Sequence, residues 1–400
     1  MIPRLSTRWQ IVGALFAMMM FSSGLGFYNQ SVLLEALTRE RGFSVFSASF
    51  ASTVFFATSG FVGLAVASLI ERIDARWSVA AGVAVCAASL VAIGRVETIL
   101  EVYAVFVVFG IGFSATNMLT ASTLITRWFA RRRAFALSIV FTGLSAGGIV
   151  VAPFAAWAVA EHGLSRGTEL MAATYVLGIL PLALWRLLPR PRSETDLAGE
   201  FDGGEDPGVG AREAFRSRYF AGIAVTFFFG LMAQVGGIAH QFKLVSAYEP
   251  DVAGTAVSVL AAASVVGRLS SGALLERLPY RGFAVAMLVL QGVTLLVLGS
   301  STTVAGLLFA SGAFGLTIGS FLMMQPLLLA EAFGTRSFAR IYSVSTLCAS
   351  VGVAVGPLLL GWAHDYAGGY RNAYALSAGM SWLGCVSLWA AGRGFGPRAR

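Results

Sequence analysis

Long apolar segments succeed one another along almost the whole chain, and nothing else in the sequence restricts the fold as strongly. A helix that crosses a bilayer needs about 20 mostly apolar residues. Twelve such segments can be laid along the 400 residues. The first six lie near 10–36, 44–69, 78–95, 99–125, 134–158 and 169–188, the second six near 218–245, 252–275, 283–300, 304–329, 338–363 and 372–392. Only 12% of residues are charged and the mean hydropathy is +0.77. A water-soluble domain carries about 25% charged residues. So little polar surface suits a bilayer, where closed helices satisfy their own backbone groups. The sequence therefore predicts an all-α integral membrane protein.

The charges between the segments orient them. With the N-terminus inside, cytoplasmic segments hold 21 of the 28 Lys and Arg residues, outer loops hold 6, and Arg268 lies within a span. This asymmetry places both termini in the cytoplasm of a multi-pass protein of the cell (inner or plasma) membrane. The stretch after Arg4 and Arg8 is too long for the core of a signal peptide, so it reads as a retained first helix. The longest connection, 189–217, holds Asp202–Gly203–Gly204–Glu205–Asp206–Pro207–Gly208 and reads as a cytoplasmic linker. It separates an N-terminal six-helix half, 1–188, from a C-terminal half, 218–400.

Other readings of the composition fall away. The net charge of +8 comes from short clusters between apolar runs, not from a basic patch with interleaved aromatics, so nucleic acid is not the expected partner. Cys86, Cys348 and Cys385 sit in apolar segments without metal or disulfide spacing. No catalytic set, metal cluster or nucleotide-binding loop is apparent, so neither an enzyme nor an ATP-driven pump is expected, and no cofactor.

An internal repeat is legible. Glu71–Arg72–Ile73–Asp74–Ala75–Arg76 follows the second segment, and Glu276–Arg277–Leu278–Pro279–Tyr280–Arg281 follows the eighth, with 276 − 71 = 205. Gly147–Gly148 to Pro153 in the fifth segment is answered by Gly352 to Pro357 in the eleventh, with 357 − 153 = 204. A fixed internal period is an architectural signal. Two such halves are characteristic of transporters that alternate access around a site near the midplane.

At this point the chain resembles the major facilitator superfamily over nearly its whole length. Gly272, Glu276, Arg277 and Arg281 match that family's G-x-x-x-[DE]-R-x-x-x-R loop motif, whereas the N-terminal copy has Ala67 in place of the glycine. The resemblance implies a cytoplasmic gating network from Glu71, Arg72, Arg76, Glu276, Arg277 and Arg281. A narrower resemblance is to monocarboxylate transporters and the related oxalate/formate exchangers. It rests on Arg127–Trp128–Phe129–Ala130–Arg131–Arg132–Arg133 with Gly143, and on Val265–Val266–Gly267–Arg268–Leu269–Ser270–Ser271–Gly272 with its intramembrane arginine. His240 before Val257 and Leu260 is similar to the bacterial members. Their acidic, Trp-containing motif at the entrance to helix 1 is not matched, since Ser6–Thr7–Arg8–Trp9–Gln10 stands there.

Arg268 is the most informative single residue. It lies eight residues before Glu276, or about 12 Å along a helix. An arginine at mid-span costs about 2.5–3.5 kcal/mol on insertion scales and should face a cavity or a partner. Glu35, Glu331 and Asp365 all lie near span ends. A carboxylate substrate is the simplest partner, because a guanidinium matches it with two parallel hydrogen bonds. Snorkelling to the cytoplasmic face or pairing with Glu331 are the structural alternatives. In the repeat, Arg268 falls opposite Gly63. The exchangers, by resemblance, carry a second cation in helix 11, and neutral Cys348 stands near that position, which favours a monocarboxylate over a dicarboxylate. The resembling proton symporters carry an Asp where Ser264 stands and a lysine where Gln30 stands, so His240 is the remaining candidate for proton coupling.

Depth alone nominates the rest of the substrate lining: Tyr28, Asn29, Gln30, Asn117, Gln234, Gln325 and Tyr342 as polar groups, with Phe141 and Phe321 as apolar walls. Each is equally readable as glue or packing between helices. The leading expectation is a secondary transporter of a small organic monocarboxylate, with a co-transported proton as a second partner, working as a monomer. An exporter of an amphipathic drug or other metabolite, and a transporter-like sensor that binds without translocating, are the alternatives.

Overall fold

In the computed structural model, residues 7–43, 45–129, 132–186 and 208–392 are described. All regular structure among them is helical. Helix α1 runs Thr7–Ser22, widens to a π-helical segment at Ser23–Tyr28, and continues as Asn29–Arg41. Helices α2 (Val45–Arg72) and α3 (Ala75–Ile93) follow, then α4, made of Ile99–Ser114 and Met118–Trp128. Helix α5 begins at Arg133–Ala146, widens at Gly147–Val151 and enters the stretch Ala152–Arg186. Gly163 divides that stretch, with φ 72° and ψ 174°, a pairing only glycine adopts readily. The remainder is α6. After it come α7 (Arg218–Ser246), α8 (Ala253–Leu274), α9 (Tyr280–Ser300), α10 (Val304–Phe321 and Met324–Phe333), α11 (Phe338–Tyr366) and α12 (Tyr370–Ala390).

A helix thus lies at each of the twelve expected segments. Among the described residues, ten stretches are long and apolar enough to cross a membrane, and one of them, Arg133–Trp185, holds both α5 and α6. Helix α12 has the length, 21 residues, but Asn372, Ser377, Ser381 and Ser387 make it less apolar. Polar caps mark several starts. Thr98 and Glu101 form a reciprocal capping box on α4, Asp74 caps α3, and Thr303 caps α10.

Two compact units emerge, Met1–Arg131 with Ile139–Gly204, and Arg132–Ser138 with Glu205–Arg400. This differs from the expected division at one place. The first turns of α5 pack with the second unit, where a side chain at Gly272 would collide with Ser138. The expected linker, 189–217, is described only in part. Residues 189–207 lie outside the described ones, but Ala211–Phe215 at its end is a short helix whose Ala211 and Ala214 are buried.

Within each unit the packing repeats. In the first, α2 packs on α4, α3 on α4 and α6, and α1 on the Ala152–Arg186 stretch. In the second, α8 packs on α10, α9 on α10 and α12, and α7 on α11 and α12. Helices α4 and α10 were expected to be continuous. Both are broken, and their first parts start one repeat apart, 304 − 99 = 205.

The crossing of α1 with α5 explains the widened segments. Pro153 has no N–H to give and its ring crowds the carbonyl four residues earlier. The π-helical turn just before it absorbs that mismatch, and such turns often mark functional sites. The two π segments pack on each other, and a Cβ at Gly147 would collide with Ser23 Oγ and the Met20 carbonyl. Ser23 Oγ donates to the Leu144 carbonyl at 3.0 Å, tying the helices together. In the second unit Gly352 and Gly356 meet the Phe228 and Met232 carbonyls in the same way, yet α7 and α11 stay α-helical.

Gly147→Val should therefore cost about 1–3 kcal/mol through overpacking. Gly379→Ala, with nothing within 4 Å of the added carbon, should stay within about 0.5 kcal/mol. Thermal melting of the two purified variants in detergent compares them directly.

Candidate functional site

In the second unit, Arg268 sits on α8, 3% exposed, in the span Thr255–Leu274. Its position is set by a seam of small residues between α8 and α10. A Cβ at Gly319 would collide with the Ser264 carbonyl and come within 2.9 Å of the Arg268 backbone nitrogen. A Cβ at Gly267 would likewise meet the Leu316 carbonyl. Ser271 Oγ donates to Ser320 Oγ at 2.6 Å, and Ser320 Oγ donates to the Gly267 carbonyl at 3.2 Å and the Leu316 carbonyl at 2.7 Å. Backbone therefore meets backbone at the level of Arg268, and α10 breaks just beyond, at Leu322–Met323. Depth-based selection of polar residues overlooked this seam. Gly315 and Gly319, a G-x-x-x-G pair, were its legible signal.

Around the break, Phe321 is fully buried and stacked on Phe227, with ring centroids 4.5 Å apart. Gln325 Nε2 donates to Ser345 Oγ at 2.8 Å, joining α10 to α11. Tyr342 is buried and stacks on Phe338 at 5.4 Å. Gln234 on α7 is buried, and its Oε1 takes no hydrogen bond from a described residue. His240 Nε2 lies 3.0 Å from the Pro357 carbonyl on α11. A carbonyl only accepts, so Nε2 carries the hydrogen. Nδ1 is buried and takes no hydrogen bond from a described residue.

In the first unit, Asn117 does not lie within a continuous helix, as its depth suggested. It is the cap of the second part of α4, accepting from the Leu119 N–H at 3.0 Å, with its Nδ2 3.5 Å from Ser59 Oγ. Thr120 Oγ1 donates to the Ala115 carbonyl at 2.8 Å, satisfying a group that the break releases. Beside it lies a buried hydroxyl triad that sequence reading also missed: Ser22, Thr116 and Tyr175, with separations of 3.1, 2.7 and 3.1 Å. It ties α1, α4 and α6 at the break. Ser and Thr in apolar segments are too common for sequence to single these out.

The π segment of α1 leads into the other candidates. Tyr28 is 38% exposed and its ring lies over Gly148, which is where the missing side chain leaves room. Asn29 is turned inward, donating to the Leu25 carbonyl at 3.2 Å and to Met171 Sδ at 3.4 Å. Gln30 donates to the Gly26 carbonyl at 2.9 Å and accepts from Ser52 Oγ at 2.9 Å. Phe141 is fully buried. Asn29, Gln30, Gln325 and Phe321 thus make these contacts within their own units, and all four, like Phe141, expose little surface to a ligand.

The loop motifs diverge in use. Arg76 Nε pairs with Asp74 at 2.9 Å, within its own loop. Arg281 donates to the Leu388 and Trp389 carbonyls at 3.1 and 2.9 Å, capping the end of α12. Arg72, Glu276 and Arg277 are exposed, and the Glu71 side chain lies outside the described residues.

A sequence profile described as Major Facilitator Superfamily matches residues 16–248 and 235–398. The chain belongs to that superfamily. That superfamily consists of secondary membrane transporters, not of enzymes. The fold of the E. coli fucose:proton symporter FucP is similar, with a TM-score of 0.74 at 13% identity, covering 96% of this chain and 98% of that one. Monocarboxylate transporter 13 of Bos taurus is 26% identical over 274 residues, which is 67% of this chain and 62% of that protein. The agnestins efflux protein AgnL12 of Paecilomyces divaricatus is 24% identical over 296 residues, 68% of this chain and again 62% of the relative. The chain thus spans about three-fifths of the length of these curated relatives.

Because Asn117 repairs the α4 break, Asn117→Ala should cost about 1 kcal/mol. Asn117→Ser, which keeps an acceptor at the cap, should recover most of it. Unfolding midpoints of the two variants in one detergent would read the difference.

Proposed function

We propose that this superfamily member carries a small organic monocarboxylate across the membrane by alternating access, with Arg268 anchoring the carboxylate. The observation that carries the reading is the position of Arg268. It is a guanidinium 3% exposed in an apolar span, held where α8 and α10 touch backbone to backbone and next to the point where α10 is interrupted. A buried charge of this kind is costly and is retained where it serves a function. Sequence similarity to proteins named as monocarboxylate transporters supports the same reading. Asn117, Tyr28, Gln234 and Tyr342 are the remaining polar groups proposed to face the substrate, the half-exposed Tyr28 and the open acceptor of Gln234 being the best placed. The interrupted α4 and α10 suit a transporter, because broken spans supply backbone and caps to a substrate path.

In this proposal the halves 1–188 and 218–400 rock about linker 189–217, both termini are cytoplasmic in the cell membrane, and the loop motifs form the gate. Gly272 against Ser138 and Arg281 on the end of α12 favour that role, since both make the motif a packed joint. His240 is proposed to accept the coupled proton on Nδ1. A second reading, export of a larger metabolite, rests on similarity to the agnestins efflux protein. It would leave Arg268 structural.

Arg268→Ala and Arg268→Lys are each expected to cut carboxylate uptake into proteoliposomes by roughly 30-fold or more, the loss of about 2 kcal/mol from a desolvated charge pair. Wild-type-like uptake by a folded Arg268→Ala protein would leave the export reading in its place. His240→Gln should abolish acceleration by an inward proton gradient while sparing counterflow of unlabelled against labelled acid. Gradient-driven uptake that persists in His240→Gln would remove His240 from the coupling mechanism.

A further inference from the structure

The charges at the entrance to α7 are not absorbed by the transport reading. Val209 N–H donates to the Phe333 carbonyl at 3.1 Å, fixing the chain on the end of α10. The short helix Ala211–Phe215 then buries Ala211 and Ala214, and leaves Arg212 and Glu213 exposed. Ser217 locks the elbow into α7, donating to the Ala214 carbonyl at 2.8 Å and accepting from the Phe220 N–H at 3.0 Å. Arg212, Glu213, Arg216, Ser217 and Gly210 line an open recess of about 540 Å³. Arg216 and Arg218 are exposed beside it, as is Phe215 at 37%. No ion pair among the described residues uses Arg212, Arg216 or Arg218.

We propose that this elbow binds the phosphodiester headgroup of an anionic phospholipid. The apolar span of α7 begins at Arg218, which fixes the three arginines at the depth of the headgroups. Among the described residues, the guanidiniums of Arg212 and Arg216 outnumber the one carboxylate of Glu213 in the recess, and Arg218 adds a third cation beside it; basic side chains at this depth attract acidic lipids. Below it, Arg218, Ala221 and Val225 share an exposed face at helical spacing, which gives the lipid's acyl chain an apolar track. Phe215 stands at the interface, where aromatic rings settle. Arginines needed only for topology require no scaffold. Here the backbone is capped and docked, so the points from which the arginines project are set before the lipid arrives.

The test uses the full chain in nanodiscs of phosphatidylcholine doped with phosphatidylglycerol, followed by native mass spectrometry of the retained lipid. The wild type should retain phosphatidylglycerol selectively. Arg212→Gln and Arg216→Gln should each weaken retention about fivefold, as expected for one basic group at the headgroup layer. Adding Arg218→Gln should abolish the selectivity, and Arg371→Gln, exposed at the start of α12, should leave it unchanged. If the triple variant fails to melt cooperatively, the two single variants decide the matter. Unchanged retention in the single variants overturns the proposal. So does displacement of the lipid by inorganic phosphate alone, which would make the recess a site for free anions.

Discussion

The absence of hydrogen-bonding partners in the hydrocarbon core governs this structure. Each backbone N–H and carbonyl at that depth must be satisfied by the protein itself, and continuous helices do so at no further cost. Departures from the continuous helix are therefore informative. There are four here: the π segments of α1 and α5, and the breaks in α4 and α10. Near each, side chains or close backbone contacts make the repair. Ser23 reaches across the π crossing, while Asn117 and Thr120 serve the break in α4. At α10 the serines and glycines of the seam with α8 hold the helix up to the point of interruption.

Close approach is the second consequence. Lipid tails are as apolar as leucine, so burying leucine does little to hold helices together in a bilayer, and contact through small residues does more. Gly147 of α5 against α1, and Gly319 of α10 against α8, bring backbones together where any side chain would collide. These contacts fix the helices to within a fraction of a side chain. Through Gly319 they also fix where the guanidinium of Arg268 can begin. The site chemistry thus rests on residues that have no chemistry of their own.

The two units share a packing plan and differ in detail. Both interrupt their fourth helix, but the break in α4 carries a polar cap and a hydroxyl triad, and the break in α10 follows a small-residue seam beside a buried arginine. Both cross their first and fifth helices through glycine, but only the first unit widens to a π turn. In the proposed transport cycle the duplicated scaffolds supply the path for movement, and the unshared features, above all Arg268 where the other half has Gly63, are where a cargo would be told apart.

Fold class was open to view in the sequence because burial in lipid demands long apolar runs, and runs of twenty residues are visible without any knowledge of packing. The same holds for the repeat, which needs only a constant offset, and for Arg268, whose charge is conspicuous in its segment. The roles of other residues depended on which face of a helix looks inward, and depth along the chain does not say. Asn29 and Gln30 have the right depth, yet one points to Met171 and the other holds Ser52. Asn117 has the right depth for a reason that pattern did not reveal, since it ends an interruption. The sequence by itself determined that the chain is helical and membrane-spanning, how its segments repeat and where Arg268 sits among them. Tertiary structure alone decided which amides are consumed by packing, where the helices widen and break, and which backbones touch. Those outcomes depend on contacts between residues far apart in the chain, such as Ser22, Thr116 and Tyr175, and no local pattern encodes them.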